Sequence, residues 1–480
     1  MTQTSEEKGK GHYLRGIIWL FGGNVISVLS GMVLSIFSSR MLSQEELGAF
    51  FLNLMLSQLA IVAGTIGLRV TVVKFLGPQS AEEKMLTSNI MLTMFFLLMI
   101  AVCLVLSVII PFLTKLWPGE CFESIVWYVI PWVALEMFYT AGVGILVGYQ
   151  LFKLLSIVTG LCGLLRTALS IVFLFLGAKA HGMMWGGILA FIVLNIFMVI
   201  KFPFHIKPYF IRQRALDMLR FGLWIYGADL SGVATFKADT AILATYINVA
   251  QVAVYNNASR LPNLLMTLFD SMRPVVLSYV SSDTSDMDNA LIMSTRVLSG
   301  FLSIASAAIM VLAQPLVVLL FSEKYLESVP ILRIMGVYVV LNILNYYLSI
   351  YLIGDNKVQQ IFYKGLLAFV FVITGHLILI PSYGGIGAAI SITFVAFFLV
   401  MTSSIMLFRH KMKSLIHLFD AIARSVIPLV VLLLVIELFN PTIVINVVLF
   451  FAFVASLLLV RSVTSKDLKV LYQNTLHKAT

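Results

Sequence analysis

Charge, cysteine and nucleotide-binding motifs are all scarce in this chain. Aspartate, glutamate, lysine and arginine make up 11% of its 480 residues, whereas about 25% is usual in a soluble globular protein. The three cysteines show no CxxC spacing, which excludes a disulfide framework and a thiolate metal site. No GxxxxGKS, GxxxxGKT or HExxH motif occurs, so we predict no cofactor and no nucleotide-driven engine. We also predict that the chain is not an enzyme.

Apolar residues dominate the composition instead. They make up 60% of the chain, and the mean hydropathy is +1.01. These values exclude a soluble enzyme, a disordered chain and a nucleic-acid-binding protein. Because a membrane-spanning helix needs about 20 mainly apolar residues, we predict an all-α, polytopic membrane protein with about 14 transmembrane helices. The predicted spans are 15–38, 50–73, 88–112, 124–148, 154–177, 183–203, 219–246, 252–279, 291–318, 329–353, 359–380, 384–408, 420–439 and 441–461.

Lysine and arginine are unevenly distributed between the two sides of these spans. Nineteen lie on the side that both termini share, and four lie on the opposite side. Because cytoplasmic loops carry the excess of positive charge, we predict a multi-pass membrane protein with both termini in the cytoplasm. The net charge of +10 then reflects topology rather than nucleic-acid binding. The basic loop from Lys201 to Arg220 is expected to face anionic membrane lipid.

The sequence contains an internal repeat. Five positions in span 1 have related residues at the same spacing in span 7, namely Arg15, Trp19, Phe21, Gly22 and Asn24 against Arg220, Trp224, Tyr226, Gly227 and Asp229. Six spans per copy keep the two copies in the same orientation, so we predict two parallel six-helix lobes plus two extra helices. The predicted domains are an N-terminal lobe at 1–203, a cytoplasmic basic linker at 204–218, a C-terminal lobe at 219–408, and spans 13 and 14 with a cytoplasmic tail at 409–480.

Three segments resemble a known transporter family. They are Arg40-x-Leu42-Ser43-x-Glu45-Glu46-x-Gly48-x-Phe50 after span 1, Tyr255-x-x-x-x-Arg260-Leu261 in span 8, and Arg273-Pro274 at the end of that span. With these segments the chain resembles the polysaccharide flippases of the multidrug/oligosaccharidyl-lipid/polysaccharide exporter superfamily. Within that superfamily it resembles the Wzx type.

The resemblance implies a function and a set of partners. It implies an export flippase of the bacterial cytoplasmic membrane that works by alternating access of two lobes. Its cargo would be undecaprenyl-diphosphate-linked oligosaccharides, the repeat units of O-antigen, capsule or exopolysaccharide. H+ or Na+ is the candidate coupling ion, and glycan-assembly proteins are candidate partners. Two alternatives stay open: a cation-coupled drug or small-molecule antiporter of the same superfamily, and a polytopic glycan polymerase or ligase. Cations inside the spans argue against the first, and the lack of a long external loop argues against the second.

Ionisable residues inside the spans are the candidate functional groups, because each needs a cavity or a partner. The deepest are Glu136, Arg166, Asp229, Lys237 and Arg260, followed by Asp239, Asp270, Arg69 and Arg273. Arginine matches phosphate oxygens bidentately, and lysine supplies a point charge. Since the resemblance places spans 1, 2, 7 and 8 around a cavity, we predict that the diphosphate headgroup is contacted by Arg69, Lys237, Arg260 and Arg273.

Acidic residues inside the spans are the candidates for ion coupling. Membrane-embedded carboxylates often bind protons or sodium in secondary transporters, and we name Asp229 and Glu136 for this role. Each charge also has a salt-bridge alternative: Asp270 with Arg273, Lys237 with Asp229 or Asp239, and Glu136 with Arg166 inside one lobe. Trp132 is expected to anchor its span at the membrane interface.

Overall fold

The computed structural model describes residues 3–76, 80–202, 207, 209–270, 287–354, 358–409, 411–439 and 441–459. For some residues within these ranges the structure describes the backbone but not the side chain. They are 3–18, 69, 81, 224–225, 227–231, 233–236, 268, 270, 287–290, 353–354 and 358. Every regular element in the described ranges is a helix. The predicted all-α class is therefore confirmed.

The chain divides into two compact units, Met1–Ala253 and Val254–Thr480, which we call the N-terminal and C-terminal units. The helices of the N-terminal unit are α1 (Gln3–Met41), α2 (Gln44–Thr65), α3 (Leu68–Leu76), α4 (Ala81–Leu116), α5 (Glu120–Ile125), α6 (Val129–Gly148), α7 (Phe152–Phe175), α8 (Lys179–Lys201) and α9 (Arg212–Tyr246). Helix α9 thus belongs to the first compact unit. The lobe bounds and the repeat relation stay predictions.

The helices that follow are α10 (Val249–Asp270), α11 (Met287–Val311), α12 (Ala313–Phe321), α13 (Ser328–Gly354), α14 (Val358–Phe408), α15 (Met412–Phe439) and α16 (Ile443–Leu459). Ten described helical segments across the chain are long and apolar enough to cross a membrane, and Ile443–Leu459 is a shorter apolar helix. Helices α9 and α10 are not among the ten. The protein is therefore a multi-pass membrane protein, and the total of fourteen spans stays a prediction.

Small residues allow close helix packing in the N-terminal unit. A Cβ atom added at Gly23 of α1 would meet the backbone of Ser156 in α7, and one added at Gly163 of α7 would meet Ser27. Further along the same pair, the Thr167 hydroxyl donates to the Ser30 carbonyl oxygen over 2.9 Å. Without a hydrophobic force between helices in lipid, such close approach and interhelical hydrogen bonds are the main source of association.

Helix α14 is a hairpin of two antiparallel arms. Gly384 has φ +56 and ψ −134, which is not a helical conformation. The rings of Phe371 and Phe398, one on each arm, lie 4.9 Å apart, and a Cβ at Gly375 would meet the Ser391 hydroxyl. The two arms correspond to the predicted spans 359–380 and 384–408.

The predicted span 50–73 is not one continuous helix. Helix α2 ends in the left-handed residue Ile66, with φ 46, and Gly67 follows with φ 68 before α3 begins. Gly222 of α9 makes room for this break, because a Cβ on either glycine would meet the backbone of the other segment. A left-handed conformation is unusual for a β-branched residue. The break places Arg69 in the first turn of α3.

Candidate functional site

Two of the predicted headgroup-binding cations have described side chains. Lys237 lies on α9 in the N-terminal unit, and Arg260 lies on α10 in the C-terminal unit. Both are half-buried, and the Nε atom of Arg260 is buried. Both helices are less apolar than their neighbours, in keeping with segments that carry charge into the membrane. Contact of both cations with one ligand stays a prediction.

The other predicted site residues lie wholly or partly outside the described part of the structure. Arg273 is in the segment 271–286, outside the described residues. The backbones of Arg69 and Asp229 lie in α3 and α9, but their side chains are not described. The Asp270 side chain is likewise not described. The roles of these residues therefore stay predictions.

Asp239 of α9 is satisfied locally. Its side chain is buried, and its Oδ1 atom accepts hydrogen bonds from the backbone N–H and the hydroxyl of Thr240. The alternative salt bridge with Lys237 stays a prediction. Two donors on the neighbouring residue lower the penalty for burying the carboxylate.

A polar cluster in the N-terminal unit comprises Glu136, Trp132 and Arg166. The Trp132 indole N–H donates to Glu136 Oε2 over 2.6 Å, one turn along α6. The Arg166 guanidinium carbon, on α7, lies 5.9 Å from the centre of the Trp132 ring. The acid and the cation therefore both contact the indole, one at its N–H edge and one over its face. In the described part of the chain no hydrogen bond or ion pair joins Glu136 directly to Arg166.

Trp132 itself is a core residue, so its prediction as an interface anchor is wrong. It is 1% exposed, and its ring packs 5.5 Å from that of Phe191 on α8. Gly187 makes this possible, because a Cβ there would meet the indole. The hydrogen bond to Glu136 satisfies the N–H that burial would otherwise leave without a partner.

The family-like segment after span 1 forms a structural junction. Ser43 is the N-cap of α2 and exchanges hydrogen bonds with Glu46, in a capping box. Glu46 also forms a 3.1 Å ion pair with Lys179 at the start of α8. Gly48 lies against the backbone of Val249, where a Cβ would not fit. The segment therefore fixes the start of α2.

Our sequence-based prediction missed a buried cation in the C-terminal unit. Lys364, on the first arm of α14, is only 5% exposed. Its Nζ atom donates to Asn345 Oδ1 over 2.9 Å, to Ser349 Oγ over 3.0 Å and to Ser403 Oγ over 2.7 Å. Lys364 lies inside the predicted span 359–380, and its position there is a signal that could have identified it.

A second missed charge is Arg333 of α13, which is also buried. It forms a 3.1 Å ion pair with Glu437 near the end of α15. This ion pair joins the predicted span 13 to the packed helices of the C-terminal unit. The position of Arg333 inside the predicted span 329–353 was again an available signal.

A comparison with family models identifies the family. The model described as "Polysaccharide biosynthesis protein" matches residues 37–330, which is more than half of the chain. The chain belongs to this polysaccharide biosynthesis protein family. The chain is also similar to the succinoglycan biosynthesis transport protein ExoT of Rhizobium meliloti (strain 1021), with 23% identity over 129 residues. That match covers 26% of each chain, so it spans about a quarter of the relative.

Solved structures show the fold of this polysaccharide biosynthesis protein. The lipid II flippase MurJ, in an inward closed conformation, matches with a TM-score of 0.74 at 16% identity, over 95% of this chain and 99% of that one. An inward-facing multidrug resistance MATE family transporter of the MOP superfamily matches with a TM-score of 0.65 at 18% identity, over 81% and 95%. A MOP superfamily transporter from Pyrococcus furiosus matches with a TM-score of 0.58 at 18% identity, over 83% and 96%. The predicted resemblance to polysaccharide transporters is confirmed by the family match, and the fold is that of polytopic transporters.

Proposed function

We propose that the protein is a flippase that exports undecaprenyl-diphosphate-linked oligosaccharide across the bacterial cytoplasmic membrane by alternating access. The cargo is the repeat unit of an O-antigen, a capsule or an exopolysaccharide. Membership of the polysaccharide biosynthesis family carries this proposal. The likeness in fold to a lipid II flippase supports it, because both proteins would then move a lipid cargo across a membrane.

Cationic side chains inside the membrane helices give the proposal its chemistry. Lys237 and Arg260 are half-buried on α9 and α10, where a positive charge is costly unless it faces a cavity or a partner. A diphosphate supplies oxygens that the planar guanidinium fork of Arg260 can bind bidentately, while Lys237 adds a point charge. Arg69 and Arg273 complete the proposed headgroup site.

Coupling to H+ or Na+ is assigned to Glu136 and Asp229. Glu136 lies inside the predicted span 124–148, and carboxylates inside the membrane often bind protons or sodium in transporters. One of its oxygens accepts the Trp132 N–H, and the other is available to a proton or sodium ion. Arg166, over the indole ring, supplies a positive charge near the carboxylate, which lowers the affinity of Glu136 for a coupling ion.

The proposal is tested with purified full-length protein in proteoliposomes that contain a fluorescent undecaprenyl-diphosphate oligosaccharide. Arg260→Ala should abolish flipping at unchanged protein level, and Arg260→Lys should restore it only in part, since the fork is lost and the charge stays. Arg424→Ala is the matched control, because Arg424 pairs with Asp420 on α15 over 2.7 Å at the surface. Normal flipping by well-incorporated Arg260→Ala protein would exclude the headgroup role.

The same proteoliposomes separate the proposal from its two rivals. A cation-coupled antiporter would extrude cationic drugs against a proton or sodium gradient and leave the lipid-linked oligosaccharide in place. A polymerase or ligase would change the length or the carrier of the glycan. Imposed gradients of H+ and Na+ identify the coupling ion, and Glu136→Gln should remove the response to that gradient.

A further inference from the structure

The surroundings of Lys364 have the composition of a cation-binding site. Its ammonium group carries three N–H bonds, and the structure provides three acceptors at 2.7–3.0 Å: Asn345 Oδ1, Ser349 Oγ and Ser403 Oγ. The acceptors come from α13 and from the second arm of α14, while Lys364 lies on the first arm. Every donor of the charged form is therefore satisfied by a neutral oxygen.

The two serine hydroxyls are oriented for this task. The Ser349 hydroxyl donates its own hydrogen to the Asn345 backbone carbonyl over 2.7 Å. The Ser403 hydroxyl donates to Asn345 Oδ1 over 3.1 Å. Since each hydroxyl has one hydrogen and two lone pairs, both oxygens are left to act as acceptors toward Nζ. A neutral amine has only two N–H bonds and can donate to only two of the three oxygens at once.

Compensation of this charge by a carboxylate is not observed among the described residues. The three partners of Nζ are all uncharged, although Lys364 is 5% exposed. Neutral oxygens that replace the hydration shell of an ion are the means by which proteins hold monovalent cations in membranes. They differ from a buried salt bridge, in which an acid and a base neutralise each other.

We propose that Asn345, Ser349 and Ser403 form a monovalent-cation site whose occupant is the tethered ammonium group of Lys364. The ligand class of this site is a primary ammonium or an alkali cation of similar size. The C-terminal unit thus carries its own cation at this position and needs none from solution. Deleting the side chain should create a site for a free cation. This inference does not depend on what the protein transports.

Chemical rescue tests the proposal on the full-length protein in detergent. Lys364→Ala should lower the temperature of unfolding. Methylammonium, ethylammonium or K+ should then raise that temperature saturably, whereas choline, which is too large for the vacated space, should not. Lys413→Ala is a matched control, because Lys413 is exposed on α15, and its unfolding temperature should not respond to amines. Lys364→Met should also give no response, because its apolar stem fills the site.

The absence of any saturable response in Lys364→Ala, with amines and K+ alike, would overturn the proposal. A second pair of variants tests it if Lys364→Ala does not accumulate. Ser403→Asp places a carboxylate beside Nζ and should keep membrane abundance near that of the unsubstituted protein, because the acid meets a charged ammonium. Ser403→Asp/Lys364→Met should be lost, because the acid is then buried alone. Equal loss of the single and the double variant contradicts a charged occupant.

Discussion

The N-terminal and C-terminal units stabilise buried charge in different ways. In the N-terminal unit, the Glu136 carboxylate accepts an indole N–H, and the Arg166 cation lies over the same ring. In the C-terminal unit, the Lys364 cation is bound by three neutral oxygens. The first arrangement combines opposite charges through an aromatic side chain, and the second solvates a single charge. A membrane interior therefore requires compensation for charge without requiring an ion pair.

Exposure sharpens the contrast. Glu136 is half-buried, while Lys364 is 5% exposed. One Glu136 oxygen accepts the Trp132 N–H, which leaves the carboxylate able to take up the proposed coupling ion, whereas the Lys364 cation, with every donor satisfied, is a fixed part of the fold. We therefore expect variants near Lys364 to change stability first, and variants near Glu136 to change ion coupling first.

The largest effect is expected for Asn345→Leu. This change removes the amide oxygen that accepts from Lys364 and from Ser403, and leaves a buried ammonium with incomplete solvation. A hydrogen bond to a charged group contributes about 1.5–3 kcal/mol, and because this oxygen accepts from two groups, we expect the free energy of unfolding to fall by about 3 kcal/mol. Denaturant unfolding of the full-length protein in detergent measures it.

Asn342→Leu is the control for this variant. Asn342 lies one turn earlier on α13 with 5% exposure, but its amide donates to the Met266 sulfur over 3.0 Å, a weak acceptor. Its replacement should lower the free energy of unfolding by about 1 kcal/mol or less. Equal losses for both variants would mean that Asn345 contributes only packing, and the contrast between the two units would disappear.

An intermediate effect is expected for Trp132→Phe. Phenylalanine keeps most of the buried ring but removes the N–H that Glu136 accepts. A hydrogen bond to a charged group contributes about 1.5–3 kcal/mol, and we expect a loss of about 2 kcal/mol in the free energy of unfolding. Glu136→Gln retains an acceptor oxygen for the indole, so it should change that free energy by less than about 1 kcal/mol.

A double-mutant cycle isolates the Trp132–Glu136 interaction. In the Trp132→Phe background, Glu136→Gln should partly restore stability, because an amide is cheaper than an unsatisfied carboxylate to bury. Strictly additive effects of the two substitutions would show that the hydrogen bond contributes nothing, and that Trp132 acts through packing against Gly187 and Phe191 alone.

Hydrophobicity was sufficient to predict the fold class, but not the local structure of the candidate sites. Apolar runs of span length predicted an all-α polytopic protein, because the membrane permits few other structures. The break at Ile66 was not predicted, because it depends on Gly67 meeting Gly222, more than a hundred residues away. The pattern of apolar residues records helix length and carries little information about such contacts.

The polar clusters escaped prediction for a related reason. Trp132 was assigned to the interface because aromatic residues at span ends usually lie there, yet the space beside Gly187 on another helix buries it. Lys364 was not singled out, since its three acceptors are an asparagine and two serines, residues with no recognisable spacing. Single charges inside spans are visible in a sequence, but their partners depend on helix packing.

The smallest effects are expected outside the interior, where compensation of charge matters least. Ser43→Ala removes a capping-box hydroxyl at the start of α2 and should lower the free energy of unfolding by about 1 kcal/mol. Ser80→Ala, in the matching capping box of α4, should do the same.

Lys179→Ala breaks the ion pair with Glu46, but the Lys179 side chain is 71% exposed, and surface pairs contribute about 0–1 kcal/mol. Denaturant unfolding should therefore rank Lys179→Ala below both serine variants, with its small effect decreasing further as salt screens the pair. A loss for Lys179→Ala as large as that for Asn345→Leu would show that charge compensation is equally important at the surface and in the interior.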